Sequence, residues 1–184
     1  MNLKVSALSA FDILGLRVSL LVSDEEIRDA FRVKAAVLHP DSGGDEQEFA
    51  KLQAAREVLS SPAKRLKEWM AVRGLEFDPR GQIEGALMDL FQKVSEVGAA
   101  AEHLIRENES AKSVLVKAMA EVKVIKQREL IQELLETVDS ELDRRTGNFQ
   151  QVEEGQIDPG TIMRDLIFLE KWRATLRGIY GRLI

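Results

Sequence analysis

Apolar residues recur along this chain at three- and four-residue steps, in blocks bounded by proline, glycine and short polar turns. Such spacing lines apolar side chains along one face of an α-helix, and no alternation of period two points to a strand. In "ALSAFDILGL" (7–16), Phe11 and Leu14 mark a short helix with Gly15 near its end. In "SDEEIRDAFRVKAAVL" (23–38), Ile27, Ala30, Phe31, Lys34, Val37 and Leu38 trace one face. Ser23, with Glu26 three residues on, makes a capping box. Asp24, Glu25 and Glu26 lie where the helix dipole favours anions, and Pro40 cannot continue the helix. The pattern predicts a helix from Asp24 to about Leu38.

A second helix is predicted in "EQEFAKLQAAREVLSS" (46–61), with Phe49, Leu52, Ala55, Val58 and Leu59 as its stripe. Two helices joined by a short loop lie antiparallel, so the loop carrying His39 and Asp41 projects from the tip of a hairpin. "PAKRLKEWMAVRG" (62–74) predicts a further helix, with Pro62 in its first turn and Gly74 as C-terminal cap. "LEFDPRGQ" (75–82), with Pro79 and Gly81, reads as a boundary. It divides the chain into residues 1–77 and 78–184.

Beyond it the pattern stays helical. Leu87, Leu90, Phe91, Val94, Val97, Ala101, Leu104 and Ile105 form one stripe, and Leu115, Ala118, Val122 and Ile125 another. The stripe resumes at Ile131, Leu135, Val138 and Leu142, so its phase slips near Gln127 and Arg128. A kink, a polar seam or two helices are expected there. "TGNFQQVEEGQIDPG" (146–160) breaks the pattern again. Asp158 and Pro159 then open a last helix, with a seam of Ile162, Leu166, Leu169, Arg173, Leu176, Tyr180 and Leu183 and with Phe168 and Trp172 partly off it. Three long amphipathic helices argue for a bundle.

Composition narrows the function classes. The chain has 184 residues, enough for one large or two small domains. Its net charge of −5 is evenly spread: residues 1–78 hold 11 basic and 13 acidic side chains, the remainder 15 and 18. A basic nucleic-acid face is not expected. Cysteine is absent, which removes disulfides, thiolate metal sites and thiol nucleophiles and suits a reducing cytoplasm. Asp12 and Arg17 interrupt the apolar N-terminal run, against a signal peptide. No uncharged stretch approaches the ~20 residues of a membrane span.

The candidate chemistry lies in "LHPDSGGD" (38–45), which holds one of the chain's 2 histidines. His39 and Asp41 there are open to three readings: a metal site, a catalytic pair, or a contact surface on a capped turn. One loop supplies too little imidazole for zinc. No nucleophile or oxyanion loop accompanies the pair, so no catalytic residue, metal or cofactor is expected. His103 reads as a surface histidine.

The flanking residues carry a resemblance. Residues 1–77, with "FDILGL", His39-Pro40-Asp41 between two helices, and Ala55, Val58, Leu59, Ser60, Pro62 and Arg65 in an "A-x-x-V-L-S-x-P-x-x-R" signature, resemble a J-domain, the DnaJ-type co-chaperone module. The whole chain is similar to the HscB type of J-protein: Arg65, Trp69 or Met70 and Gly74 trace that type's helical extension, and "ALMDLF" and "LIFLEKWRATL" resemble its bundle motifs. The resemblance implies an all-α fold, a J-domain hairpin followed by a three-helix bundle. It implies that a DnaK/HscA-type chaperone is bound through His39, Pro40, Asp41, Arg28 and Arg32, and that its ATPase is stimulated. It implies that a client, an iron–sulfur cluster scaffold protein, is bound through Leu87, Met88, Phe91, Phe168 and Trp172. Apolar stripes can also be plain bundle core, and that reading stays open for these five. The chain departs from the family at Ser42, where a lysine often stands, and in the sparse basic residues of its second helix. The alternatives are a J-like adaptor that stimulates no ATPase, and a general J-protein whose client is unrelated to iron–sulfur clusters.

Overall fold

The computed structural model of the protein describes residues 8–78, 80, 85–110 and 113–183, with the backbone alone at Ser42 and residues 114–119. In chain order its helices are α1 (Ala10–Leu14), α2 (Asp24–Leu38), α3 (Glu46–Ser60), α4 (Pro62–Val72), α5 (Gly85–Ser110), α6 (Val114–Thr146), α7 (Phe149–Glu153) and α8 (Pro159–Arg182), with a 3₁₀ turn at Pro40–Ser42. Among the described residues every regular element is helical. None of these helices is long and apolar enough to cross a membrane. The expected boundary residues Pro79 and Gly81, the stretch Met1–Ala7, and the side chains of Leu115 and Ala118 lie outside the described residues.

The chain forms two compact units: Met1–Pro79 with Gly147–Met163, and Arg80–Thr146 with Arg164–Ile184. The sequence pattern divides the chain once, near residue 77. The contacts divide it close to that point and also set 147–163, counted from sequence with the bundle, in the first unit.

In the first unit the local signals produce the helices. Ser9 and Asp12 make a capping box at α1, as Ser23 and Glu26 do at α2. The Ser9 hydroxyl and backbone N–H hold the Asp12 carboxyl below its ordinary range. The backbone N–H and hydroxyl of Ser23 do the same for Glu26. Lys34 reaches back from α2 and donates to the Ile13 carbonyl near the end of α1. Phe11, Leu14, Ile27, Leu52, Leu59 and Leu66 are fully buried between these helices, each worth about 1.5–3 kcal/mol against exposure. Buried Arg65 donates to the carbonyls of Leu20 and Val22 and meets Asp24 at 3.5 Å, tying α4 to the segment that leads into α2.

Val37 departs from expectation: it is 72% exposed. Ten residues on from Ile27, it lies about 80° off the axis of the buried face at 3.6 residues per turn. The segment 147–163 packs through buried Phe149 and Val152. Glu153 accepts from Leu20 N–H (2.7 Å), Ser19 Oγ (3.3 Å) and Trp69 Nε1 (3.0 Å).

The second unit packs α5, α6 and the part of α8 from Arg164 onward. Leu87, Leu90, Val94 and Leu104 of α5 are buried, with Ile131, Val138 and Leu142 of α6 and Leu166, Leu169 and Leu176 of α8. The phase slip expected near Gln127 resolves as a polar seam in one continuous helix. Val122 and Ile125, expected inside, are 69% and 60% exposed. The inward face instead runs through buried Ala120, half-buried Val124 and Gln127, and buried Ile131. The Gln127 amide is satisfied by the Val97 carbonyl at 2.8 Å, which is why a polar residue can sit in the seam. Arg128 donates to Tyr180 Oη at 3.1 Å. Arg145 is buried with its Nε 2.7 Å from Asp165 Oδ2 and its Nη1 2.8 Å from Glu141.

Candidate functional site

The loop between α2 and α3 is shaped by its own backbone. His39 ends α2, donating to Ala35 O at 3.0 Å, with φ −63° and ψ 132°. That extended conformation is the one a following proline favours, and it turns the chain off the helix axis. Pro40 opens the 3₁₀ turn, closed by Gly43 N–H to Pro40 O (2.9 Å) and Gly44 N–H to His39 O (3.1 Å). The two glycines serve different ends. Gly43 has φ 80°, a left-handed value that glycine adopts without steric cost. Gly44 packs so closely on Leu38 that a Cβ there would overlap the Leu38 carbonyl. Asp45 then caps α3, its Oδ1 accepting from Gln47 N (2.8 Å) and Glu48 N (2.9 Å).

The His39 ring stands edge-on to Phe49, with centroids 5.0 Å apart at 70°. Phe49 in turn packs near Phe31 at 6.5 Å, and the Arg56 guanidinium lies 4.7 Å above the Phe31 ring. His39 Nδ1 accepts the Asp41 N–H at 3.2 Å, which places the proton of the neutral ring on Nε2. Asp41 Oδ2 stands 3.6 Å from Nδ1 and its side chain is 89% exposed. The carboxylate is therefore held out at the tip, open to a charge-assisted hydrogen bond from a partner's cation. The positioning role of Phe49 and Gly44 was not read from sequence, where Phe49 is only one member of an apolar stripe.

Arg28 and Arg32 are exposed on α2. Arg32 pairs with Asp29 at 3.0 Å, an exposed contact worth under ~1 kcal/mol and easily exchanged. Asp24, in the first turn of the same helix, meets Arg65 at 3.5 Å. His103 is 76% exposed on its side chain. No group of three or more histidines and carboxylates converges as a metal site among the described residues.

In the second unit, Leu87, Met88, Phe91, Phe168 and Trp172 come together around one apolar hollow of about 100 Å³. Phe91 and Phe168 flank Trp172 with centroids 5.8 and 6.0 Å away. The five are not equivalent. Leu87 (1% exposed) and Trp172 (6%) are buried and form the floor, whereas Met88 (50%) and Phe91 (48%) stand at the rim. Ile167 is 42% exposed on α8 beside Phe168 and was not singled out from sequence; its place off the α8 seam was the available signal. Large apolar side chains left in water beside a preformed hollow make this a candidate interaction surface.

Comparison with known proteins bears on both units. Residues 9–67 match the DnaJ domain family. The chain is 49% identical over 57 residues to Chaperone protein DnaJ 1 of Cutibacterium acnes and 46% identical over 55 residues to a DnaJ protein homolog of Cucumis sativus. Each match takes in 30% of this chain, which spans only 14% and 13% of those relatives. Among solved structures, Chaperone HscB from Vibrio cholerae superimposes with a TM-score of 0.54 and 15% identity, over 96% of this chain and 100% of that one. Residues 9–67 thus match the DnaJ domain, and the all-helical fold of the chain is similar to that of HscB over nearly all its length.

Proposed function

We propose that this protein is a J-domain co-chaperone whose His39–Pro40–Asp41 tip, with Arg28 and Arg32, docks on a DnaK/HscA-type chaperone and stimulates its ATP hydrolysis. The observation that carries the reading is the Asp41 carboxylate, 89% exposed at the end of a backbone-locked turn inside the DnaJ match. A rigid tip loses little entropy on docking. The chemistry belongs to the partner, and this chain needs no cofactor. The cytoplasm is its proposed setting. Asp41→Asn keeps the shape and removes the charge: ATP hydrolysis by the chaperone should fall to its unstimulated rate while circular dichroism stays constant. Full stimulation by this variant would refute the mechanism.

The hollow of the second unit supports the other half of the proposal: delivery of a client, an iron–sulfur cluster scaffold protein. The rim residues are the probes of choice, because truncating buried Leu87 would also damage the bundle. Calorimetry should detect scaffold binding by the wild type and weakened binding by Met88→Ala, Phe91→Ala and Phe168→Ala. No binding, or binding indifferent to all three, counts against this client and returns the surface to another one. A J-like adaptor without ATPase stimulation is the second reading, favoured by the pairing of Arg32 with Asp29. Wild-type protein that leaves the chaperone's ATPase unchanged would select it.

A further inference from the structure

In the second unit, α5 borders a further concavity, a groove of about 410 Å³ shared with α6. Its α5 wall lies about 120° around the helix from Leu87 and Phe91 at 3.6 residues per turn, so it is separate from the Trp172 hollow. Leu90 and Leu134 are buried in its floor, while Val97 is half-buried and Leu130 is 38% exposed. Asp89 on the α5 wall and Glu133 on the α6 wall are exposed. Neither carboxylate has a hydrogen-bond or ion-pair partner among the described residues. Glu141, also at the groove, is already held by Arg144 and Arg145. Lys93 is exposed one turn from Asp89 and is likewise unpaired among the described residues. The Gln127 bond to the Val97 carbonyl fixes the register of the two helices. Val97 and Leu130 lie toward that end of the groove, and Asp89 lies about 12 Å farther along α5 at 1.5 Å per residue. The groove thus passes from an apolar end to an acidic one.

We propose that this groove docks a cationic amphipathic helix of a partner protein, with leucine-like side chains at one end and lysine or arginine one to two turns away. Charge complementarity carries the choice of occupant. The floor receives the apolar face of a helix, as grooves between helices commonly do, and the unpaired carboxylates of Asp89 and Glu133 take its cations. Nucleic acid and anionic lipid would bring phosphates against those same carboxylates. A second copy of this chain docked groove to groove would set Asp89 and Glu133 against their own equivalents. Lys93 disfavours a uniformly basic segment, so the cations of the occupant gather at the acidic end.

The test is fluorescence anisotropy of a labelled leucine–lysine–alanine helix of about 12 residues, long enough for a groove of ~17 Å, titrated with the full chain. It compares the wild type, Asp89→Lys/Glu133→Lys, Leu130→Ser and Phe91→Ser, with circular dichroism as the check on folding. The wild type should bind with a Kd below ~100 μM. The charge-reversed variant and Leu130→Ser should each bind on the order of tenfold more weakly, and Phe91→Ser should bind as the wild type does. The same peptide with glutamate for lysine should bind the wild type about tenfold more weakly and prefer the charge-reversed variant, which also shows that this variant is folded. No saturable binding of the lysine peptide up to ~1 mM, or equal binding of the two peptides, would overturn the proposal. So would binding indifferent to the reversal; loss in Phe91→Ser alone would assign the peptide to the Trp172 hollow. A wild-type dimer in sedimentation that the reversal dissociates would give the groove to a second copy instead.

Discussion

Glu153 is the residue whose removal should reveal most about the first unit. Its Oε1 takes two donors, the backbone N–H of Leu20 at 2.7 Å and the indole of Trp69 at 3.0 Å, while Oε2 takes Ser19 Oγ at 3.3 Å. Leu20 and Trp69 are 1% and 3% exposed, so their N–H groups have no ready substitute. A hydrogen bond to a charged group contributes ~1.5–3 kcal/mol, and an orphaned buried donor costs ~1–3 kcal/mol. Glu153 itself is half-buried, so water can partly replace its carboxylate. Glu153→Ala should therefore cost about 2–4 kcal/mol, a large part of the ~5–15 kcal/mol of a typical domain. Glu153→Gln should cost less than about 1 kcal/mol. The amide oxygen can stand where Oε1 accepts both N–H donors, and the amide nitrogen can donate to the Ser19 hydroxyl. Urea unfolding followed by circular dichroism measures both variants, and hydrogen exchange at the Leu20 amide reports the local bond. Equal losses for alanine and glutamine, or an unchanged Leu20 exchange rate in Glu153→Ala, would refute this account of how 147–163 is held.

Other expectations follow from single contacts. Gly44→Ala should open the tip and break the Gly44 to His39 bond, costing about 1–3 kcal/mol in thermal unfolding and losing ATPase stimulation. Gly43→Ala meets open space and should pay only left-handed strain of ~1–2 kcal/mol. Arg145→Ala should cost about 3–5 kcal/mol in urea unfolding, because it leaves buried Asp165 unpaired. Adding Asp165→Leu should recover much of that loss, since Glu141 keeps Arg144 at 3.0 Å. For pH, the folded-state values of Asp12 and Glu26 lie below their ordinary ones. Their caps thus stabilise fully at neutral pH and fade as pH falls below about 4. The fall of the melting temperature with acid should be shallower in Ser9→Ala/Ser23→Ala.

What was legible in the sequence is what depends on neighbours along the chain. The ends of α2 follow from Ser23, Glu26 and Pro40, and the start of α8 from Asp158, whose side chain accepts the Thr161 N–H at 2.9 Å. The His39–Asp41 turn was readable because proline and paired glycines dictate backbone shape within a few residues. The convergence of Leu87, Met88, Phe91, Phe168 and Trp172 was anticipated, but which of them form floor and which form rim was not. Val37, Val122 and Ile125 look like core in a one-dimensional pattern and face water in the fold. Gln127 and Arg145 look like surface and sit inside or half inside. Their partners are the Val97 carbonyl and the Asp165 carboxylate, 30 and 20 residues away. The sequence by itself determined the longer helices, the capping box of α2 and the turn that presents Asp41, because these rest on local hydrogen bonds; the short α7 lies in a stretch that reads as a break in the pattern. Only the tertiary structure decided which faces are buried and that 147–163 joins the first unit. Burial is a property of what packs opposite, and the donors that make Glu153 and Gln127 acceptable are brought there by folding.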